Sequence, residues 1–406
     1  MFFDTGDFMK NAVLVLTLLL FACSTAENVR ETKGSRQEQL NRADIYYKLG
    51  VSYYKLARYD KALEYYFKAL KIEEKVLGKN HPITAIMYSI IGNVYSEQGK
   101  YKKALEYHHK ALKIREKALG KKHKDTARSY HNIGNVYAIQ KKYKKALEYY
   151  FKALEIREKV LGKEHTNTAD SYNNIGDVYY YQGNYDKALE YYFKTLKIRE
   201  KVLGKEHRDT AASYFDIGSV YSQQKIYKTA LEYYFRALKI YEKKPGKKHL
   251  LTAKSYKAIG IVYIHQKIYY EALKYRLSAL KIYEKVFGKK HTDTADSYYV
   301  IGTIYDGLLQ YDNALKYYFK ALAIRKKVLG KEHLLTANCY IKIAFVYAVQ
   351  SKFKKAEKYF LELAEAYEKH YGETDSNTKT VYGLLGNIYK ELGDTEQAEY
   401  YKKKSE

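Results

Sequence analysis

The chain has little proline, little cysteine and no tryptophan. Its 406 residues include 2 Pro, 2 Cys and 0 Trp. Because proline is the usual breaker of helix interiors, its scarcity predicts long helices joined by short turns. Two cysteines cannot build a disulfide framework and do not fit a four-ligand zinc site. Side-chain packing must therefore hold the fold together, and the 46% apolar residues suffice for a core, which excludes a disordered chain.

Acidic residues are also scarce relative to basic ones. Lys and Arg total 73 against 46 Asp and Glu, which gives a net charge of +27, and the chain holds 50 Tyr. Such a charge favours nucleic acid, anionic lipid or acidic partners in principle. A length of 406 residues would ordinarily indicate two or three globular domains.

The N-terminal segment resembles an export signal. The apolar run from Ala12 to Ala22 has 11 residues, too few to span a bilayer as a helix but typical of the core of a secretory signal. The acidic residues before it are unlike a signal, whereas Met9-Lys10 is short and positive, so we expect translation to start at Met9.

The end of this run contains a candidate lipidation site. The sequence Leu20-Phe21-Ala22-Cys23-Ser24 resembles a bacterial lipobox, in which the cysteine is lipidated and becomes the new N-terminus. This resemblance predicts a signal peptide over residues 1–23 and a lipid anchor on Cys23. Two alternatives are ordinary cleavage after Ala26, which would release a soluble secreted protein, and an uncleaved anchor.

An internal repeat of 42 residues covers the rest of the chain. The same residue types recur at this interval in nine registers. The first column consists of Gly50, Gly92, Gly134, Gly176, Gly218, Gly260, Gly302, Ala344 and Gly386. A tyrosine follows three residues after each of these positions, as at Tyr95, and an alanine follows twelve after, as at Ala104.

Each repeat is predicted to fold as two helices. In the second repeat the first helix spans about residues 82–98, because Tyr88, Ile91, Gly92 and Tyr95 fall on one helical face. The second helix spans about residues 101–119 and ends at Gly120. Its outer positions carry Glu-to-Lys pairs four residues apart, which stabilise helices modestly. These pairs are Glu64/Lys68, Glu106/Lys110, Glu148/Lys152 and Glu190/Lys194.

These residues resemble the tetratricopeptide repeat: an aromatic residue, Ile-Gly and Tyr in the first helix, then Ala, an aromatic residue and Ala in the second. The long second helix at residues 111–123 and the sequence at 172–176 resemble the repeats of kinesin light chains and their bacterial relatives. The resemblance implies an all-α fold, a right-handed α/α superhelix of about nine helix pairs. We therefore expect a linker at residues 24–40 and a repeat array at residues 41–406, the last unit being a shortened, polar capping unit.

No catalytic or metal site is expected. Seven histidines recur in the motif Gly-Lys-x-His, but equivalent positions in stacked helix pairs lie on the order of 10 Å apart, too far to share one metal ion. We instead expect each to cap the first helix of its repeat, with Asp375 doing so in the last full register. These histidines are His81, His123, His165, His207, His249, His291 and His333. Cys339 lies in a serine register and is expected to be a packed residue. No enzyme activity and no cofactor are predicted.

Partner recognition is expected in the groove of the array. The resemblance implies that the first helices line a concave groove, at positions six before, three before and one after the repeat glycine. Asparagine there can bond both donors and acceptors of an extended peptide. The candidate groove residues are Ser89, Asn93, Arg128, His131, Asn135, Asp170, Asn173 and Asp177.

The predicted function is a non-enzymatic scaffold that binds protein or peptide partners at the bacterial cell envelope, lipid-anchored or periplasmic. Lysines of the second helices, such as Lys102, Lys103, Lys110, Lys113 and Lys117, place the positive charge on the convex face. This face favours an anionic envelope surface, and no nucleic acid partner is expected because no nucleic-acid-binding motif is present. The alternative is an intracellular, cytoplasmic adaptor or regulatory protein resembling kinesin light chain.

Overall fold

The computed structural model describes residues 35–406. These residues form eighteen α-helices and contain no β-strand, so the predicted all-α class is confirmed. The predicted signal peptide at residues 1–23 and the lipidation at Cys23 lie outside the described residues, as does most of the predicted linker at residues 24–40.

The first helix begins earlier than the predicted array. Helix α1 starts at Arg36, ahead of the predicted boundary at residue 41. Ser35 accepts a hydrogen bond from the backbone N–H of Glu38, and Glu38 Oε2 accepts one from the backbone N–H of Ser35 at 2.6 Å. This capping box satisfies two backbone donors that the helix itself leaves without partners. Residues 36–40 are therefore helical.

The described chain divides into two compact units, of which the first ends at Lys225 and the second begins at Ile226. The helices of unit 1 are α1 (Arg36–Lys55), α2 (Tyr59–Val76), α3 (Pro82–Glu97), α4 (Tyr101–Leu119), α5 (Lys124–Ile139), α6 (Tyr143–Val160), α7 (Thr166–Tyr181), α8 (Tyr185–Val202) and α9 (Arg208–Gln223). In unit 1 each helix packs against the next one in the chain.

The second unit follows the same pattern of consecutive packing. Its helices are α10 (Tyr227–Tyr241), α11 (Leu250–His265), α12 (Tyr269–Val286), α13 (Thr292–Gly307), α14 (Tyr311–Val328), α15 (Leu334–Val349), α16 (Phe353–Tyr371), α17 (Ser376–Glu391) and α18 (Thr395–Ser405). A short π-helical turn at Glu242–Gly246 separates α10 from α11. Helix α18 has 11 residues and none of them is buried.

The recurring histidines cap the odd-numbered helices, as predicted. In α3, Nδ1 of His81 accepts the backbone N–H of Ile83 at 3.2 Å, and the other six histidines of the motif make the same contact. Asp375 does the same for α17, accepting the N–H of Asn377 at 2.8 Å. An acceptor at this position satisfies one of the free N–H groups of the first turn.

Close packing inside each helix pair explains the glycine column. A Cβ built on Gly134 would lie 2.6 Å from the ring of Tyr150, and one on Gly176 would lie 2.7 Å from the ring of Tyr192. Real Cβ atoms do not approach other atoms so closely, so at these two positions only glycine lets the tyrosine ring of the even-numbered helix lie against the odd-numbered one.

Tyrosines and charged pairs add contacts within single helices, within helix pairs and between successive pairs. Tyr95 stacks on Tyr107 with ring centroids 5.5 Å apart. Tyr130 of α5 donates a hydrogen bond to Oε1 of Glu116, which lies on the preceding helix α4, at 2.5 Å. The four predicted Glu-to-Lys pairs are confirmed, with nitrogen to oxygen distances of 2.6 to 2.7 Å.

Candidate functional site

The eight predicted groove residues all lie in unit 1, on helices α3, α5 and α7. We call the surface formed by these residues the A face. Helix α3 packs against α5. Helix α5 contacts α7 through Asn174, whose Nδ2 donates to Nε2 of His131 at 3.2 Å. The structure therefore brings the odd-numbered helices of the second, third and fourth repeats next to one another.

His131 is a neutral acceptor in this contact. Burial, together with the smaller effect of the nearby Arg157, lowers the pKa of His131 to about 3. An imidazole with such a pKa carries no charge at neutral pH, so one ring nitrogen is available to accept the amide N–H of Asn174. The ring of His131 also lies 5.6 Å from that of Tyr150.

Asn135 and Asp177 each accept a hydrogen bond from a tyrosine of the neighbouring helix. The hydroxyl of Tyr150 donates to Oδ1 of Asn135 at 2.7 Å, and that of Tyr192 donates to Oδ1 of Asp177 at 2.7 Å. Burial raises the pKa of Asp177, and the hydrogen bond from Tyr192 opposes that rise. These rings are the ones that cover the repeat glycines, so the A face is tied directly to the core.

Asn173 is the least satisfied polar residue of the A face. Its Nδ2 lies 3.4 Å from Oδ2 of Asp177, which is long for a hydrogen bond. Its Oδ1 is buried and has no hydrogen-bond partner among residues 35–406. A buried acceptor without a partner costs about 1–3 kcal/mol. Asn173 therefore offers an amide oxygen that a donor from outside the chain would satisfy.

Two charged residues of the prediction, Arg128 and Asp170, are exposed and paired. Nη2 of Arg128 lies 3.1 Å from Oδ1 of Asp125, one helical turn earlier. Oδ1 of Asp170 lies 2.9 Å from Nη2 of Arg199, which comes from α8. Pairs at exposed carboxylates are worth little in stability. Both side chains remain at the surface and are available to a partner at small cost.

The two predicted residues of α3 differ in accessibility. Asn93 is exposed. Ser89 is only 6% exposed, and its hydroxyl donates to the carbonyl of Ala85 within the same helix at 3.1 Å. The prediction that Ser89 lines an accessible groove is therefore wrong, because so short a side chain bonds back to its own helix and does not reach the surface.

Sequence reasoning missed a column of buried arginines beneath the A face. Nη1 of Arg115 donates to the hydroxyl of Ser129 at 2.6 Å, and Nη1 of Arg157 donates to that of Ser171 at 2.7 Å. Burial lowers the pKa of Arg115 to about 10, which still leaves it charged at neutral pH. The arginine and the serine are always 14 residues apart, and this constant spacing was the signal that could have revealed the contact.

Among residues 35–406, no three His, Cys, Asp or Glu side chains are placed to hold a metal ion. None of the helices in this part of the chain is both long and apolar enough to span a membrane.

A family profile described as "Tetratricopeptide repeat" matches the chain in seven overlapping stretches. The matched residues are 41–117, 87–159, 125–201, 168–243, 251–327, 307–369 and 340–406. They cover nearly all of the predicted array. No curated protein matches the chain at a significant level.

Several solved structures resemble this fold. A signal transduction ATPase with numerous domains, with a tetratricopeptide repeat sensor, from Pyrococcus horikoshii matches with a TM-score of 0.62 and 18% identity, over 93% of this chain and 53% of that one. The apo form of RapI matches with a TM-score of 0.49 and 22% identity, over 69% and 96%. A putative kinesin light chain from Podosopora anserina, with nearly identical repeats, matches with a TM-score of 0.44 and 21% identity, over 50% and 97%. Identities this low bear on the fold alone.

Proposed function

The chain belongs to the tetratricopeptide repeat family, whose members generally mediate protein–protein interaction, and we propose that it is a non-enzymatic scaffold that binds a peptide or protein partner on the A face of unit 1. Fold alone does not determine function, so the proposal depends on the site. The observation that carries it is the buried Oδ1 of Asn173, which has no hydrogen-bond partner within residues 35–406.

The chemistry of the A face suits an extended peptide. Asn93 is exposed and its amide offers both a donor and an acceptor, while Asn173 offers an acceptor. The backbone of an extended peptide carries an N–H and a C=O at every residue other than proline. The charged side chains of Arg128 and Asp170 lie at the surface beside these amides and add contacts of either sign. Such a face binds backbone through its amides and selects side chains through its charges.

The test removes the three amides together. Crosslinking in cells, followed by affinity purification and mass spectrometry, is performed on the native chain and on the triple variant Asn93→Ala, Asn135→Ala, Asn173→Ala. We expect the variant to lose the partner that the native chain recovers.

The matched control changes one exposed glutamate in each of the same three repeats: Glu106→Ala, Glu148→Ala, Glu190→Ala. It should recover the partner as the native chain does. Thermal unfolding of each variant confirms that it is folded. Undiminished recovery by a folded asparagine variant contradicts the proposal.

We further propose that the protein acts at the bacterial cell envelope, anchored through a lipid on Cys23. The support is the sequence at residues 12–24, together with five lysines of α4 that are all exposed and could contact an anionic envelope surface. These lysines are Lys102, Lys103, Lys110, Lys113 and Lys117. The alternative is a cytoplasmic adaptor.

Labelling cells with radioactive palmitate tests the anchor. We expect the native chain to be labelled and Cys23→Ala to be unlabelled, with the native chain in the membrane fraction. Equal labelling of the two excludes lipidation at this residue. Recovery of the native chain in the cytoplasmic fraction favours the adaptor.

A further inference from the structure

A pocket of about 300 Å³ lies between α1, the end of α2 and α3. Most of its lining is apolar, including Leu40, Ile86 and Met87, and Ile86 is 42% exposed. Two carboxylates, Asp44 and Glu73, also line it. Ile86 occupies the register of Arg128 and Asp170, so the pocket continues the A face toward the first repeat. Its volume is at the lower end of the range for small-molecule pockets.

The acidic residue Glu73 occupies the register of the buried arginine column. Arg115, Arg157 and Arg199 stand at this position in the next three repeats. In the fourth repeat Arg199 bridges two side chains: its Nη2 contacts Asp170 at 2.9 Å and its Nη1 donates to the hydroxyl of Ser213 at 2.9 Å. Arginine thus occupies this place in four repeats, at residues 115, 157, 199 and 325, while tyrosine occupies it in three others, at residues 241, 283 and 367.

The same bridge recurs in unit 2. There Nη2 of Arg325 lies 2.7 Å from Oδ1 of Asp296, and its Nη1 lies 3.4 Å from Sγ of Cys339. The carboxylate, the arginine and the small polar residue therefore form a set that the fold uses in more than one repeat.

The first repeat keeps the carboxylate of this set and lacks its cation. Asp44 is in the register of Asp170, but Glu73 replaces the arginine and Met87 replaces the serine. Asp44 is paired with Lys48 at 2.7 Å, and both side chains are largely exposed. Oε2 of Glu73 is buried and has no hydrogen-bond partner within the described residues 35–406. Of the two carboxylates that line the pocket, Glu73 is thus the one whose buried oxygen lacks a positive partner.

The burial of Glu73 without a partner changes the pKa of its carboxyl group. Burial raises the pKa of Glu73 to about 7. A carboxylate without a partner in apolar surroundings is disfavoured relative to the protonated acid, and a bound cation would reverse that preference.

We infer that this pocket takes one lysine side chain of the partner, with the aliphatic stem against Leu40 and Ile86 and the ammonium group at Oε2 of Glu73. This inference rests on the proposed function, since it specifies what the partner on the A face carries. An apolar lining with a single unpaired oxygen suits an unbranched stem that ends in a compact charge. Arginine is a less suitable occupant than lysine, because its guanidinium group prefers two acceptor oxygens.

Two probes of equal stem length test the pocket without the partner. Nα-acetyl-lysine N-methylamide and Nα-acetyl-norleucine N-methylamide are titrated into the full chain and followed by ligand-observed NMR. We expect the lysine probe to bind at least about tenfold more tightly than the norleucine probe, the factor that a hydrogen bond between charged groups supplies.

The variants locate the binding. Glu73→Gln, which keeps the shape of the side chain, should weaken the lysine probe about tenfold. Glu73→Arg should abolish its binding, because the chain then supplies its own cation. The control Glu64→Gln, at an exposed glutamate of the same helix that pairs with Lys68 at 2.7 Å, should bind as the native chain does.

Other results overturn the inference. Equal binding of both probes indicates a purely apolar occupant, undiminished binding to Glu73→Gln indicates a different site, and no binding of either probe indicates that the pocket takes no such ligand. Because no partner is present, these failures are distinct from a failure of the asparagine variant to lose its partner.

Discussion

Glu73 gives the sharpest prediction about stability. Its carboxylate is buried without a partner for Oε2, in a register where other repeats place arginine. The substitution Glu73→Gln keeps the volume of the side chain and removes the ionisable group. We expect the variant to be more stable than the native chain at pH 8 and nearly equal to it at pH 5.

The magnitude follows from the pKa. Burial raises the pKa of Glu73 from its ordinary value of 4.5 to about 7. A carboxyl group whose pKa is higher in the folded state binds more protons when folded, so the folded state loses stability as the pH rises from 4.5 to about 7. One pKa unit corresponds to about 1.4 kcal/mol, which gives an upper limit of about 3 kcal/mol above pH 7. Because the side chain is only partly buried, solvent screening reduces the expected penalty to about 1–2 kcal/mol above pH 7 and to less than about 1 kcal/mol at pH 5.

Urea unfolding followed by circular dichroism measures this effect. The free energy of unfolding of the native chain is subtracted from that of Glu73→Gln at each pH. The subtraction is needed because the lowered pKa values of His108 and His131 reduce stability as the pH falls, equally in both chains. The control Glu64→Gln should change stability by only a few tenths of a kcal/mol at either pH, because its pair with Lys68 is exposed. A difference that does not grow between pH 5 and pH 8 would refute the reasoning.

Three further predictions concern the packing of the repeats. Gly134→Ala should destabilise the fold by about 1–3 kcal/mol in thermal unfolding, because its Cβ would lie 2.6 Å from a tyrosine ring. Gly383→Ala should be neutral or stabilising in the same assay, because its Cβ would lie 3.8 Å from the nearest atom, Cβ of Ser405. A double-mutant cycle of Tyr130→Phe and Glu116→Gln should give a coupling free energy of about 1–2 kcal/mol in urea unfolding, and additive effects would contradict the hydrogen bond. Cys339 is 0% exposed and burial raises the pKa of its thiol, so iodoacetamide should modify its peptide in urea and not in the native chain, as mass spectrometry can establish.

The fold could be predicted from the sequence because the residues that make each contact recur in many repeats. The predicted second helix of repeat two, residues 101–119, matches α4. The histidine caps and the Glu-to-Lys pairs depend only on neighbours within a few residues, so their spacing was enough to predict them. The first helix extends ahead of the predicted array boundary, because the capping box at Ser35 falls before the first recognisable repeat position.

The candidate site was harder to predict from the sequence, because its contacts join side chains of different helices. The register placed Asn135 and Asp177 on the A face, but it did not indicate that hydroxyls of Tyr150 and Tyr192 occupy their Oδ1 atoms. Nor did it separate Ser89 from the longer residues in the same register, since burial depends on side-chain length at a given backbone position. Partners fifteen residues away, on another helix, are fixed by packing and not by local pattern.

Photo-crosslinking from single positions tests the central claim most directly. A benzophenone amino acid is placed in cells at Asn93, on the A face, or at Lys113, an exposed residue of α4 that lies outside that face. We expect one partner to be crosslinked from position 93, not from position 113, and to disappear when Asn135→Ala and Asn173→Ala are added. Equal crosslinking from both positions, or a product at position 93 that these substitutions leave unchanged, would contradict partner binding on the A face.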